Sequence, residues 1–501
     1  MAQDASYDSS SETVASPGTG LSTGLSINRS DRADRVAETK SGHAVGAPIS
    51  PGTAEITSDL RRRVIALSGP ALVEMFLMSL IGMADMIMVG RMGSQGPAAI
   101  AAVGLTNQPM FFIQAAFMAL NVGTTAIVAR SIGARDRATA CNATRQTLTV
   151  TIVMGLMTSL LGILISHSVI VLMGAEEEVI PLGTSYMQIV SAGMIFATIT
   201  MAISAALRGA GDTKTPMKVN VTANIVNIIG NYLLIYGNFG FPRLGVAGAA
   251  IATSFSRFVA CIMVLRVIYS GHFILHLSLK DSYRPDFPLI KRILRVGVPA
   301  AIEQFILRGG QLVFVRVVSS FGTVVFAAHQ IGMNIQSLSF TPGQAFSIAA
   351  TTLVGQGLGA KKTALAEKGA MEARRLGMIV SGCTALIFIF FSRQIASLYT
   401  SDPAVISRSA MVLKILALVQ PAQSTQFILA GGLRGAGDTK WPLYSTFIGI
   451  WVVRVALGYF FAVVLNLELL GAWMAMAMDQ LARSAIIYAR FKAGKWKRVA
   501  V

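Results

Sequence analysis

Arg208–Lys214 and Arg434–Lys440 both read RGAGDTK. The copies lie 226 residues apart, and the same offset carries VARSIGAR (Val128–Arg135) onto VGQGLGAK (Val354–Lys361), Leu244-Gly245 onto Leu470-Gly471 and Arg257 onto Arg483. Farther upstream the offset drifts to 229, where PALVEMF from Pro70 meets PAAIEQF from Pro299. A seven-residue identity with collinear flanks identifies an internal duplication, so each half is one structural unit repeated.

The solvent of each unit follows from composition. Of 501 residues 53% are hydrophobic and 13% charged, with mean hydropathy +0.61; soluble domains carry about 25% charged residues. Apolar runs recur at the length that spans ~30 Å of hydrocarbon. They predict helices near 64–90, 98–129, 146–170, 181–207, 217–239 and 245–265, then 296–319, 325–354, 376–392, 404–432, 441–465 and 470–489. The expected fold is an all-α integral membrane protein, twelve transmembrane helices in two six-helix bundles. An even helix number makes the halves parallel repeats related by a pseudo-two-fold axis along the membrane normal. The expected parts are a disordered cytoplasmic tail (1–58), an N-terminal lobe (59–269), an interlobe linker (270–290), a C-terminal lobe (291–490) and a basic cytoplasmic tail (491–501). Pro285 and Pro288 in the linker oppose helix continuation.

Net charge +18 invites a nucleic-acid reading, but the placement of charge decides against it. Loops on one side collect 32 of the 42 Lys and Arg, whereas the other side holds Arg91, Arg243, Arg393 and Arg408. The positive-inside rule then predicts both termini cytoplasmic in a multi-pass inner-membrane protein. No cleavable signal peptide is expected at the polar start MAQDASYDSS. Cys141, Cys261 and Cys383 lack paired spacing, so neither a disulfide framework nor a metal cluster is expected.

Four acidic residues fall inside the spans: Glu74, Asp85, Glu303 and Asp479. A charge in hydrocarbon costs at least ~2.5–3.5 kcal/mol, so each is a functional candidate. Asp85 lies ~8 Å from the outer end of helix 1. On helix 5, Asn220, Asn224, Asn227 and Asn231 recur at spacings of 4, 3 and 4 and share one face, which must meet protein or water. Asn231 and Thr253, on helix 6, reach ~12–13 Å depth. A carboxylate, two amides and a hydroxyl thus share the outer half of the N-terminal lobe, and such oxygens are what a hard cation requires. The alternative is hydrogen bonding that holds helices 1, 5 and 6 together.

Glu303, four residues after Pro299, suits a substrate cation or pairs with Arg308 or Arg316. Glu74, its repeat mate, lines a path with Asp85 or serves structure. Asp479 precedes Arg483 by four residues, an intrahelical ion-pair spacing. In RGAGDTK, Gly and Asp end helices 4 and 10; without a preceding strand or a GK[ST] ending, a phosphate-binding loop is not indicated. No nucleophile–base pair lies in the spans, so no enzyme and no cofactor beyond a coupling ion is expected.

ADMIMVGRMGSQGPAAIAAVG (Ala84–Gly104), the paired RGAGDTK loops, AAHQIGMNIQSLSF (Ala327–Phe340) and TTLVGQGLGA (Thr351–Ala360) together resemble the multidrug and toxic compound extrusion (MATE) transporters over roughly residues 60–490. The resemblance implies a monomeric antiporter exporting small cationic or aromatic compounds against inward Na⁺ or H⁺, with membrane lipid and small-molecule substrate as its partners and no nucleic acid. It also implies a coupling site at Asp85, Asn227, Asn231 and Thr253, where Na⁺ would bind. A second site, for substrate or coupling ion, is assigned to Glu303, Gln423 and Glu74. Some members carry Asp where this chain has Asn231, and often an acid where it has Gln423, which leaves Na⁺ and H⁺ both open. The competing reading is a flippase of lipid-linked intermediates, which needs a basic cavity; Arg257, Arg308, Arg316, Lys414, Arg454 and Arg483 are its only intramembrane cations.

Overall fold

The computed structural model describes residues 53–92, 96–271, 274–278 and 280–499. Twelve spans follow in order: α1 (Thr53–Gly90), α2 (Gly96–Gly133), α3 (Arg137–Leu172), α4 (Val179–Ala192 and Met194–Ala210), α5 (Lys214–Tyr236), α6 (Gly245–Tyr269), α7 (Phe287–Ser319), α8 (Thr323–Gly359), α9 (Thr363–Ser397), α10 (Pro403–Gly435), α11 (Lys440–Val464) and α12 (Glu468–Lys492). Among the described residues there is no strand. Eight spans are apolar enough to cross a membrane on composition alone, and α4 joins them as a pair bent by 45° around Gly193. The remaining three, α7, α8 and α12, are long enough but carry polar groups that turn inward: Glu303, His329, Gln336, Asp479 and Arg483 are all buried. The duplication reveals those three spans where hydropathy alone understates them.

Several boundaries differ from expectation for physical reasons. α3 and α9 begin nine and thirteen residues before the apolar runs at 146 and 376, because polar helix continues into water beyond the hydrocarbon. The N-cap of α3 is Asp136, which accepts from Thr139 N at 2.9 Å; these hydrogen bonds hold its carboxyl below the usual carboxylate range. α7 starts at Phe287, inside the predicted linker. Pro288 lies in its first turn, where no amide hydrogen is needed, and Asp286 caps it by accepting from Leu289 N at 3.1 Å. The predicted N-terminal tail lies outside the described residues except for 53–58, which belong to α1. The predicted C-terminal tail is not free over its described part: α12 runs to Lys492, and Trp496 is buried in the cluster formed by Val354, Leu358, Leu433 and Phe491.

Two spans pack across the repeat boundary. The RGAGDTK-bearing, Lys/Arg-rich end of the molecule is here called the basic end. There, Val64 and Leu67 of α1 join a core with Phe346, Ala349, Leu353 and Ile428 from the second half. The opposite end of α1, with Val89, packs in the first half beside Tyr186, Ile235 and Val246. α7 mirrors it: Leu289 and Ile293 belong to the first-half core, whereas Phe314 and Val318 belong to the second. Gly297 leaves no room for a Cβ against the Ala119 carbonyl, so the α7 and α2 backbones touch. Among the described residues, the hydrogen bonds between halves all fall at the basic end: Thr352 Oγ1 to Arg208 O (2.8 Å), Gln356 Nε2 to Gly209 O (3.3 Å), Arg61 to Glu372 (3.4 Å) and Arg130 Nη1 to Val499 O (2.9 Å), with the linker tied to α3 through Gln146. Hydrogen bonds thus tie the halves together at the basic end, while farther along α2 and α7 the contact is between side-chain faces, Phe112 stacking on Phe305 and Arg308 lying over Phe111.

Candidate cation site and the buried ion pairs

Asp85 of α1 meets the Asn stripe of α5 as its spacing predicts. Asn231 Nδ2 donates to Asp85 Oδ1 at 2.7 Å. The donor–acceptor pattern sets the Asn227 amide with its nitrogen 2.9 and 3.1 Å from the two Asp85 oxygens and its oxygen accepting from Thr253 Oγ1 at 3.2 Å. Asn227 and Asn231 are buried, while Asp85 is only partly buried. Asn231 Oδ1 is buried with no partner. An orphaned acceptor beside a carboxylate and a second amide suits a hard monovalent cation, since oxygen donors are available and one is unused. Among the described residues no three His, Cys, Asp or Glu side chains form a metal cluster. Tyr186, on α4, lies within electrostatic reach of both Asp85 and Arg257 and had no sequence signal to single it out.

The rest of the stripe divides. Asn220 Nδ2 donates to Glu74 Oε1 at 2.6 Å, whereas Asn224 makes no side-chain hydrogen bond to another described residue. Glu74 is buried and also accepts from Arg208 Nη2 at 2.6 Å. The offsets carry this trio onto Glu303, Arg434 and Thr446, and the second half repeats it: Arg434 Nη2 donates to both Glu303 oxygens at 2.8 Å and Thr446 Oγ1 to Oε1 at 3.0 Å. The partner expected for Glu303 was Arg308 or Arg316; instead Arg308 lies 4.7 Å over the Phe111 ring. A helix end delivers Arg434 from a loop distant in sequence, which local spacing does not disclose. Gln423 is buried but makes no hydrogen bond to Glu303, and both of its polar side-chain atoms lack partners.

RGAGDTK builds these pairs by geometry. Arg208 and Arg434 stand in the last turns of α4 and α10 and reach back into the bundle. Gly211 and Gly437 then adopt φ +97° and +86°, the left-handed conformation that ends a helix and that L side chains rarely adopt. Asp212 Oδ1 accepts from Lys214 N and Thr215 N at 3.1 and 3.0 Å and starts α5; Asp438 pairs instead with Arg490. The motif is thus a helix stop that aims an arginine at a buried glutamate.

The last intramembrane acid, Asp479, has 0% exposure and sits between two arginines. Arg483 Nε lies 2.8 Å from Oδ1, the intrahelical pair expected, and Arg454 of α11 donates to Oδ2.

Twelve helices in two parallel halves, crossing over at α1 and α7 and closed at one end, with buried acids in the spans, define a two-lobe, multi-pass membrane transporter. The MatE family profile matches residues 70–233 and 299–460, one copy per half. The chain is 35% identical over 450 residues to the probable multidrug resistance protein NorM of Thermotoga maritima, covering 89% of this chain and 95% of that one. It is 29% identical over 408 residues to the multidrug resistance protein MdtK of Proteus mirabilis, at 79% and 87% coverage. In fold it superposes with a TM-score of 0.81 on the outward-facing conformation of a multidrug resistance MATE family transporter, at 24% identity over 90% of this chain and all of that one. The protein belongs to the MatE family.

Proposed function

We propose that this protein is a secondary active antiporter that exports small cationic or amphipathic organic compounds in exchange for Na⁺ or H⁺. In this reading the basic end and both termini face the cytoplasm of the inner membrane, as the Lys/Arg asymmetry requires. The multidrug resistance names of the relatives support the substrate class. One observation carries the coupling: among the described residues, Asp85 is the intramembrane carboxylate with no guanidinium partner, whereas Glu74, Glu303 and Asp479 each have at least one. A charge already neutralised by a tethered cation has no need of a mobile one. Asp85, answered only by neutral amides and a hydroxyl, gains most from taking one up.

Hydrogen bonding of the halves at the basic end supports access to Asp85 from the opposite, exterior side in this reading. Binding there draws Asn227, Asn231 and Thr253 onto α1, and release on the other side follows once the lobes rock about the substrate. Glu303 serves structure in this scheme, since Arg434 and Thr446 occupy its oxygens. The flippase reading loses support because Arg454 and Arg483, two of the cations a basic cavity would need, are tied to Asp479.

Proteoliposomes with imposed Na⁺ or pH gradients, assayed against cationic dyes, test the reading. Asp85→Asn keeps one acceptor oxygen toward Asn231 and Asn227 but removes the charge. It is expected to abolish gradient-driven export while the protein still inserts. Undiminished export in that variant overturns the assignment.

A further inference from the structure

We propose that the Glu74–Arg208 pair links occupancy of the Asp85 site to the cytoplasmic closure, with Arg208 as the positioning residue that spans the two. The inference rests on the antiporter reading above and adds to it the route by which the ion is felt at the opposite end of the lobe.

Asp85 and Glu74 are eleven residues apart on α1, three turns along one face and ~16 Å in length. Whatever moves α1 at its outer end therefore moves Glu74. The pair of Glu74 with Arg208 Nη2 at 2.6 Å then takes the motion to the end of α4. There the backbone of the same arginine does a second job: Arg208 O accepts from Thr352 Oγ1 at 2.8 Å, and the next carbonyl, Gly209 O, accepts from Gln356 Nε2 at 3.3 Å. Both donors belong to α8 in the other lobe. One residue thus holds α1 with its side chain and the opposite lobe with its carbonyl. Inward opening requires Thr352 and Gln356 to let go, so a shift of Arg208 acts where the lobes part.

The duplication supplies an internal control. Glu303 and Arg434 form the matching pair in the second lobe, but the repeat mates of Thr352 and Gln356 are Ala126 and Arg130. Ala126 has no donor, and Arg130 donates to Val499 O instead. The Arg434 loop accordingly receives neither bond. Among the described residues, the complete link from glutamate to interlobe donor exists only in the lobe that holds Asp85. A pair that merely held helices together would have no reason to be joined to the closure on that side alone.

The test uses the full chain in proteoliposomes with spin labels on Lys214→Cys and Lys362→Cys, exposed positions at the basic end of the two lobes, after Cys141, Cys261 and Cys383 are replaced by Ser. Label distances are read with and without Na⁺, and at neutral and acidic pH. The parent distribution is expected to respond to one cation, and Asp85→Asn to abolish that response. Glu74→Gln is expected to abolish it too while Na⁺ or H⁺ still binds, seen as retained ion-dependent protection of a cysteine at Met83. The exchange Glu74→Arg with Arg208→Glu restores the response, which excludes misfolding of the single variant. Thr352→Val, which changes no charge, shifts the population toward the inward-open distance. A Glu74→Gln protein whose distances respond like the parent's overturns the proposal and leaves the antiporter reading standing. A parent that responds to neither cation overturns both.

Discussion

The duplicated lobes each hold a carboxylate within their spans and surround it in opposite ways. In the first, Asp85 on α1 is only partly buried and accepts from Asn227 and Asn231, with Thr253 behind Asn227, all neutral. The repeat offsets carry these positions onto Phe314, Val453, Leu457 and Asp479. The second lobe has therefore lost the acid from the first helix and both amides, and gained an acid where the first has Thr253. That acid is enclosed by Arg454 and Arg483 and fully buried. Each lobe offsets the cost of a charge in hydrocarbon, one with neutral hydrogen-bond donors and the other with guanidinium groups of its own chain. In the antiporter reading proposed above, the former arrangement is the one that exchanges a mobile cation, while the other lobe gives it a fixed frame to move against.

This contrast breaks most readily at Asp479. Replacing it by Asn leaves two guanidinium groups buried without an anion, and breaking a buried pair costs ~3–5 kcal/mol. Thermal unfolding followed by size-exclusion chromatography is expected to show a large loss of folded protein, whereas Asp85→Asn unfolds like the parent. Equal stability of the two variants would show that the sites do not differ as described. A smaller effect is expected when the whole triad becomes apolar, as in Arg454→Met, Asp479→Leu, Arg483→Met together. Exchanging buried ionic groups for packed hydrophobes is often neutral or stabilising, so this protein should fold and still couple. Loss of ion dependence in it would mean that the second lobe also titrates. The least effect lies at the helix caps that the duplication left unequal. Asp136 caps α3, and its repeat mate Lys362 starts α9 without a side-chain cap. Asp136→Ala should cost ~1 kcal/mol and Lys362→Asp should recover a similar amount. Because hydrogen bonds depress the Asp136 pKa, its contribution is full above the unfolded carboxylate range and is lost as pH falls through the folded value. Acid unfolding of Asp136→Ala should lack that component.

The sequence disclosed what rests on periodicity and repetition. Helix number, the parallel halves and the convergence of Asp85 with Asn227, Asn231 and Thr253 follow from spacing, because residues on one helical face at one depth have few other places to go. Partners brought by distant chain were hidden. Arg434 reaches Glu303 from a helix end 131 residues away, and Arg208 reaches Glu74 across 134. The repeated motif was visible, yet composition does not say whether the arginine at a helix end points into the bundle or out of it. The crossing of α1 and α7 between lobes was equally hidden, since an apolar face gives no hint of which apolar neighbour it meets. Pro288 misled for a plainer reason: it bars a helix interior and suits a first turn, and the choice depends on Asp286 beside it.

The end of the chain has a practical consequence. Trp496 is fully buried, Lys497 pairs with Glu367 at 2.6 Å and the Val499 carbonyl accepts from Arg130. Fluorescent reporters or affinity handles joined upstream of Val499 would prise this segment off both lobes, and fusions used to map topology or purify the protein should be attached beyond it on a flexible spacer.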